Sequence, residues 1–311
     1  MTDYRDKPDE VRREPGSKRP LISVALLPSA ATLGNLLCGF MAIFCALLEI
    51  RYAYFEAAPH TRHPALEDWF PTYIAVGAYL IVLAMVFDAL DGRLARITRH
   101  TTEFGAQLDS IADVVSFGAA PALLLLALLL PLAVPPHGTA VVGKLEWRLG
   151  LLGALVFVSC AAIRLARYNA ENVEEESAQS RFRGLPTPGG AAMMVALFVL
   201  HADFVHEGAA LFGIDLGDLL RRGLGVAAFL LGILMISRLD YVHVFNEYVR
   251  REHPPMHLVG LVILVGIGII SPQILLAVLA TLYVLSGIVL WIRRRGRSEM
   301  ETSCTSASQE P

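Results

Sequence analysis

An all-α polytopic membrane protein is the fold class predicted by the sequence, on three observations. First, 55% of the 311 residues are hydrophobic and only 18% are charged, whereas soluble domains carry about 25% charged residues. Second, several apolar runs approach the roughly 20 residues that a helix needs to cross a bilayer. Third, the basic residues gather in segments that can all lie on one side. A chain of this length with so many spans leaves little room for a separate soluble domain.

Apolar periodicity gives about eight transmembrane helices, at residues 24–48, 72–94, 104–130, 149–169, 188–206, 223–237, 257–270 and 273–292. The last two are short and separated only by Ser271-Pro272, where proline favours a tight turn between helices. The charged start, residues 1–20, has no basic segment leading into an apolar core of the kind a cleavable signal carries, so the first run is expected to remain as a helix. Residues 1–20 and the polar tail 298–311 lack apolar periodicity and read as disordered. Cys38, Cys45, Cys160 and Cys304 show no metal-type or redox spacing, and the first three read as small core residues.

Alternating the spans from an inside N-terminus places 20 of the 26 Lys and Arg residues on the cytoplasmic side. Joining the last two spans into one helix would send Arg293, Arg294, Arg295 and Arg297 outside, against that rule. Eight spans therefore fit better than seven.

The stretch "DALDGRLARITRHTTEFGAQLDSIAD" lies where the second and third spans meet. Asp88, Asp91, Gly92 and Ala95 fall at i, i+3, i+4 and i+7 and share one helix face. Gly105, Asp109 and Asp113 follow at steps of four and share another. If the intervening residues turn the chain, the two faces meet near the cytoplasmic end of the membrane.

Four carboxylates there are unfavourable unless some are protonated or cations bind among them. Oxygen ligands without His or Cys favour Mg²⁺, Mn²⁺ or Ca²⁺ over Zn²⁺. Gly92, Ala95 and Gly105 either leave a groove for a pyrophosphate, with Arg96 or Arg99 adding positive charge, or let the helices pack closely. A cation transporter and a purely structural cluster are alternatives from other functional classes.

This stretch resembles the signature of the CDP-alcohol phosphotransferases, D-x2-D-G-x2-A-R-x8-G-x3-D-x3-D, with every fixed position present. The resemblance implies a six-helix transmembrane core around a site for two divalent ions, Mg²⁺ or Mn²⁺, at the cytoplasmic surface. It implies that Asp88, Asp91 and Asp109 coordinate metal, and that Asp113 lies by the second metal and acts as general base. Gly92, Ala95, Arg96 and Gly105 would line the CDP part of a CDP-diacylglycerol donor, with CMP released. On this basis residues 21–240 form the core domain and 241–297 an additional C-terminal hairpin.

Further segments, "SFGAAPA", "RLARYN", "FRGLPTPGGAA" and "LLPSAATLGNLLCGFMAI", are similar to those of the bacterial phosphatidylserine synthases in that family. They imply L-serine as acceptor, with glycerol 3-phosphate or an inositol phosphate as alternatives. A serine carboxylate needs a cation, and Arg164, Arg167 and Arg183 are the candidates; membrane-surface anchoring is the competing role for the first two. Asn169 reads as a pocket residue or a helix cap. The resemblance further implies membrane-lipid partners, a homodimer and a place in the bacterial cytoplasmic membrane. The histidines show no paired-ligand arrangement and no nucleic-acid partner is expected.

Overall fold

The computed structural model describes residues 22–55, 70, 72–98, 103–133, 144–174, 184–237, 239, 266, 268 and 271–307. These form α1 (Ile22–Phe55), α2 (Tyr73–Thr98), α3 (Glu103–Asp113), a π-helical segment (Val114–Ala119), α4 (Ala120–Ala133), α5 (Lys144–Glu174), α6 (Thr187–Glu207), a two-residue hairpin of β1 (Ala210–Leu211) and β2 (Ile214–Asp215), α7 (Leu216–Ile236) and α8 (Pro272–Ala307). The fold class is all-α. Seven helical stretches among the described residues are long and apolar enough to cross a membrane, and α3, the π-helical segment and α4 together make one of them. The expected span at 257–270 lies outside the described residues, apart from helical Gly266 and Gly268.

Several helices extend past their sequence-based limits, α1 for example to Phe55 rather than residue 48. α7 begins at Leu216 rather than residue 223, because its charged first turns are internally compensated. Asp215 caps it by accepting from the Asp218 backbone N–H at 3.0 Å, and the Asp218 carboxylate pairs with both Arg221 and Arg222. α8 continues to Ala307, through residues 298–307 that the sequence reading assigned to a disordered tail.

The third span is central: 61% of its apolar window is buried, against 17% for the last span. Phe117, Leu124, Leu125, Phe157, Phe198 and Met194 fill the interior around it. Small residues, among them Ala42, Ala78, Ala154, Ala161 and Ala228, let the helices approach. Lipid tails are as apolar as these side chains, so close packing takes over the cohesive role that water exclusion has in soluble proteins.

The closest crossing joins α5 to α7. A Cβ on Gly153 would collide with the Gly225 carbonyl, and one on Gly225 would lie 2.7 Å from the Gly150 backbone nitrogen. Neither backbone has a side chain that can swing aside. Gly225→Val is therefore expected to cost about 1–3 kcal/mol, seen as a lower melting temperature in detergent; an unchanged melting temperature would contradict this crossing.

Polar groups tie helix ends on both sides of the bundle. Thr72 Oγ1 accepts from the Ala75 N–H at 3.1 Å, and Glu49 of α1 accepts from the Tyr73 N–H at 2.9 Å, which anchors the start of α2. At the other side of the bundle, Gly184 adopts φ +90° and packs on the carbonyl of Met235, where a Cβ would not fit. The Gly184 and Leu185 N–H groups donate to Leu239 and Leu234 at 2.8 and 3.0 Å. Pro186 then stands at the N-cap of α6 with a second proline inside the first turn, so "GLPTP" enters the helix in one defined direction.

Candidate active site

The acidic residues converge as their spacing suggests. One carboxylate oxygen each from Asp88, Asp91 and Asp109 lies within 4.8 Å of the others. Asp113 stands one turn beyond Asp109 on α3, outside that group of three but within the electrostatic field of all its members. Asp91 and Asp113 are buried, at 6% and 8% exposure, while Asp88 and Asp109 are half-buried.

α2 and α3 do not pack closely along their lengths; α1 packs on both and forms the back wall of the space between them. It carries two polar residues to the acids. The Thr32 hydroxyl hydrogen-bonds Asp91, and Asn35 Nδ2 donates to Asp113 Oδ1 at 3.0 Å. Asn35 is fully buried, and a buried amide inside an apolar helix demands such a partner. Its polar character in the first span was the available sequence signal, but only the fold shows which acid it meets.

The π-helical segment begins directly after Asp113. Ser116 donates from Oγ to the Asn35 carbonyl at 2.9 Å, and Gly39 leaves room for it, since a Cβ there would run into Ser116. Gly118 faces Ala161 on the opposite side. A wide turn shifts the angular phase of the following helix. The acidic face of α3 thus points into the cleft while α4 buries a different face. Composition carries no mark of this turn.

Gly92 is exposed, and an added Cβ there would meet nothing within 4 Å among the described residues, which leaves open space above it. Gly105 is half-buried in the first turns of α3. Ala95 and Arg96 belong to α2, but their side chains lie outside the described residues, as do Arg99 and Arg183 altogether.

The acceptor candidates separate. Arg164 is half-buried on α5 and donates from Nη1 to Thr187 Oγ1 at 3.0 Å, with Asp113 in its electrostatic field. Arg167 is exposed. Asn169 is not a cap: α5 runs on to Glu174, and Asn169 Nδ2 donates to Ser110 Oγ on α3 at 2.8 Å. That bond braces the aspartate helix against α5. Cys38, Cys45 and Cys160 are buried free thiols, as expected of small core residues.

The donor set suits a hard divalent cation. Three carboxylates supply only oxygen, and Asp91 Oδ2 and Asp109 Oδ1 are buried without a hydrogen-bond partner among the described residues. Buried acceptors of this kind are costly until a cation or proton satisfies them.

Residues 25–234 match the family model described as CDP-alcohol phosphatidyltransferase. The chain belongs to this family. A CDP-diacylglycerol--serine O-phosphatidyltransferase of Methanocaldococcus jannaschii is 34% identical over 69% of this chain and 83% of its own length. A protein of the same name from Helicobacter pylori strain J99 is 29% identical over 88% of this chain and 94% of its own. Another from Mycobacterium bovis is 32% identical over 59% of this chain and 52% of its own. The CDP-alcohol phosphatidyltransferase segment contains the whole acidic cluster, Asn35, Arg164 and Thr187; α8 lies beyond its end.

Proposed function

We propose that the protein transfers the phosphatidyl group of CDP-diacylglycerol to the hydroxyl of L-serine, giving phosphatidylserine and CMP. The observation that carries this reading is the meeting of Asp88, Asp91 and Asp109 in one cleft, with Asp113 set apart and held by Asn35. Serine as acceptor rests on the shared name of the relatives and on the position of Arg164 near Asp113.

Asp88, Asp91 and Asp109 would hold Mg²⁺ or Mn²⁺, with Asp113 beside a second ion. When bound there, a divalent cation supplies positive charge against the donor pyrophosphate and the departing CMP. Asn35 occupies Oδ1 of Asp113 and leaves Oδ2 to take the proton of the acceptor hydroxyl. That oxygen attacks the β-phosphorus of the donor; the bond from this phosphorus to the bridging pyrophosphate oxygen breaks, and the electron pair leaves with CMP. Open space over Gly92 gives the nucleotide a place to lie, and Ala95, Arg96 and Gly105 are the further residues that would bind it. Arg164 serves the acceptor, assisted by Arg167 or Arg183.

The chain is an integral membrane protein with seven apolar spanning stretches among its described residues. We place it in a bacterial cytoplasmic membrane with the acidic cleft facing the cytoplasm, on the distribution of its basic residues. Membrane placement lets the acyl chains of the donor stay in lipid while its headgroup enters the cleft sideways. A homodimer belongs to the same proposal.

The test is an acceptor panel. Purified protein with CDP-diacylglycerol and Mg²⁺ or Mn²⁺ is expected to convert L-serine to phosphatidylserine, with one CMP released per lipid formed. Product with glycerol 3-phosphate or an inositol phosphate but not with serine would replace the acceptor and keep the reaction class. Cation flux in proteoliposomes without any CMP would overturn the reaction itself.

A further inference from the structure

The last helix packs on α6, the helix that carries Thr187, although it lies outside the family segment. α8 packs along α6 through three contacts: Gln273 Nε2 donates to Asp203 Oδ1 at 3.1 Å, Thr281 Oγ1 meets Met193 Sδ at 3.8 Å, and the Tyr283 ring lies on Gly189. A Cβ on Gly189 would come within 2.6 Å of Tyr283 Cε1, so glycine at that position is what admits the ring. Gly189 stands two residues along α6 from Thr187, the residue that fixes Arg164. Half-buried Tyr283 and the Arg164 guanidinium lie within electrostatic reach of each other, as do Arg164 and Asp113.

The guanidinium is only partly engaged. Nη1 is committed to Thr187, while Nε is buried and has no hydrogen-bond partner among the described residues. A buried cationic donor without an acceptor is unfavourable, and a planar guanidinium edge matches the two oxygens of a carboxylate. The Tyr283 hydroxyl, within electrostatic reach of that guanidinium, is a neutral donor suited to the same anion.

We infer that Arg164 and Tyr283 form the subsite for the carboxylate of the acceptor, with Thr187 positioning Arg164 and α8 supplying the phenol. The inference rests on the serine reading and assigns a specificity role to a helix beyond the family segment. In this arrangement the serine carboxylate is held on the α5–α6–α8 side of the cleft while its hydroxyl extends toward Asp113. An acceptor that lacks the carboxylate loses this hold and retains only the chemistry of its hydroxyl.

The experiment compares L-serine with serinol, which replaces the carboxylate by a hydroxymethyl group, in the full-length protein and in Tyr283→Phe. The substitution is expected to raise the KM for serine roughly tenfold, the loss of one hydrogen bond to a charged group. It should leave the KM for CDP-diacylglycerol and the rate with serinol within about twofold, so that discrimination between the two acceptors falls. Thr187→Val, which releases Arg164 without touching α8, is expected to shift the same ratio in the same direction. An unchanged serine KM in both variants, or equal losses with serine and serinol, overturns the subsite while leaving the serine reading intact. Failure of the unsubstituted protein to use serine, with activity toward another alcohol, overturns both.

Discussion

Asp113→Asn is expected to lower turnover by about 10²–10⁴-fold, the range typical for loss of a general base, in a protein that still folds. The amide keeps the volume of the carboxylate and retains an oxygen to accept from Asn35 Nδ2, so the contact between α1 and α3 survives. What disappears is the group proposed to take the acceptor proton. Asp113 is also outside the close group formed by Asp88, Asp91 and Asp109, and Mn²⁺ binding at that group should therefore change much less than the rate. Initial rates at saturating serine and donor, with a melting curve in detergent, measure both effects. A rate within threefold of the unsubstituted protein would remove Asp113 as the base.

Asp91→Asn is expected to act through metal affinity instead. Asp91 is the most enclosed member of the three-carboxylate group, braced by Thr32, and its Oδ2 is buried without a partner. An amide there takes away one negative charge and can turn a donor N–H toward the position a cation would occupy. The loss of Mn²⁺ affinity should exceed the roughly 10–100-fold that removal of an outer-shell partner costs. Mn²⁺ titration followed by electron paramagnetic resonance reads this directly, without turnover. Activity of the variant should also need far more Mn²⁺ for recovery after chelation than the unsubstituted protein does. Equal Mn²⁺ affinity in the two proteins would exclude Asp91 as a ligand.

Much of the site was legible because its logic is local. Asp88 and Asp91 lie one turn apart on one helix, Asp109 and Asp113 one turn apart on another, and helical geometry alone puts each pair on a common face. A short connection between two spans then brings the pairs to the same membrane depth. The apolar runs were legible for a similar reason: a bilayer requires continuous hydrophobicity over a known length. The early start of α7 escaped because Asp218, Arg221 and Arg222 look like a loop in composition, yet the one Asp218 carboxylate pairs with both arginines within two turns of helix.

Other features depend on residues that are distant in the chain. Asn35 and Asp113 are 78 positions apart, and Arg164 and Thr187 are 23 apart. Neither spacing has a helical period to reveal it. The rotation of each helix about its axis decides these pairings, and that rotation is set by close crossings such as Gly39 on Ser116 and Gly189 on Tyr283.

By itself the sequence determined the membrane class, the acidic motif and its family, because each is encoded in composition or in short-range spacing. Only the tertiary structure decided that α1 closes the back of the cleft, that a π-helical turn follows Asp113, and that α8 packs on α6. In a bilayer nearly every apolar helix face is equally soluble. Which face meets which neighbour is therefore chosen by shape, small-residue contacts and a few buried polar bonds, and these exist only once all the helices are assembled.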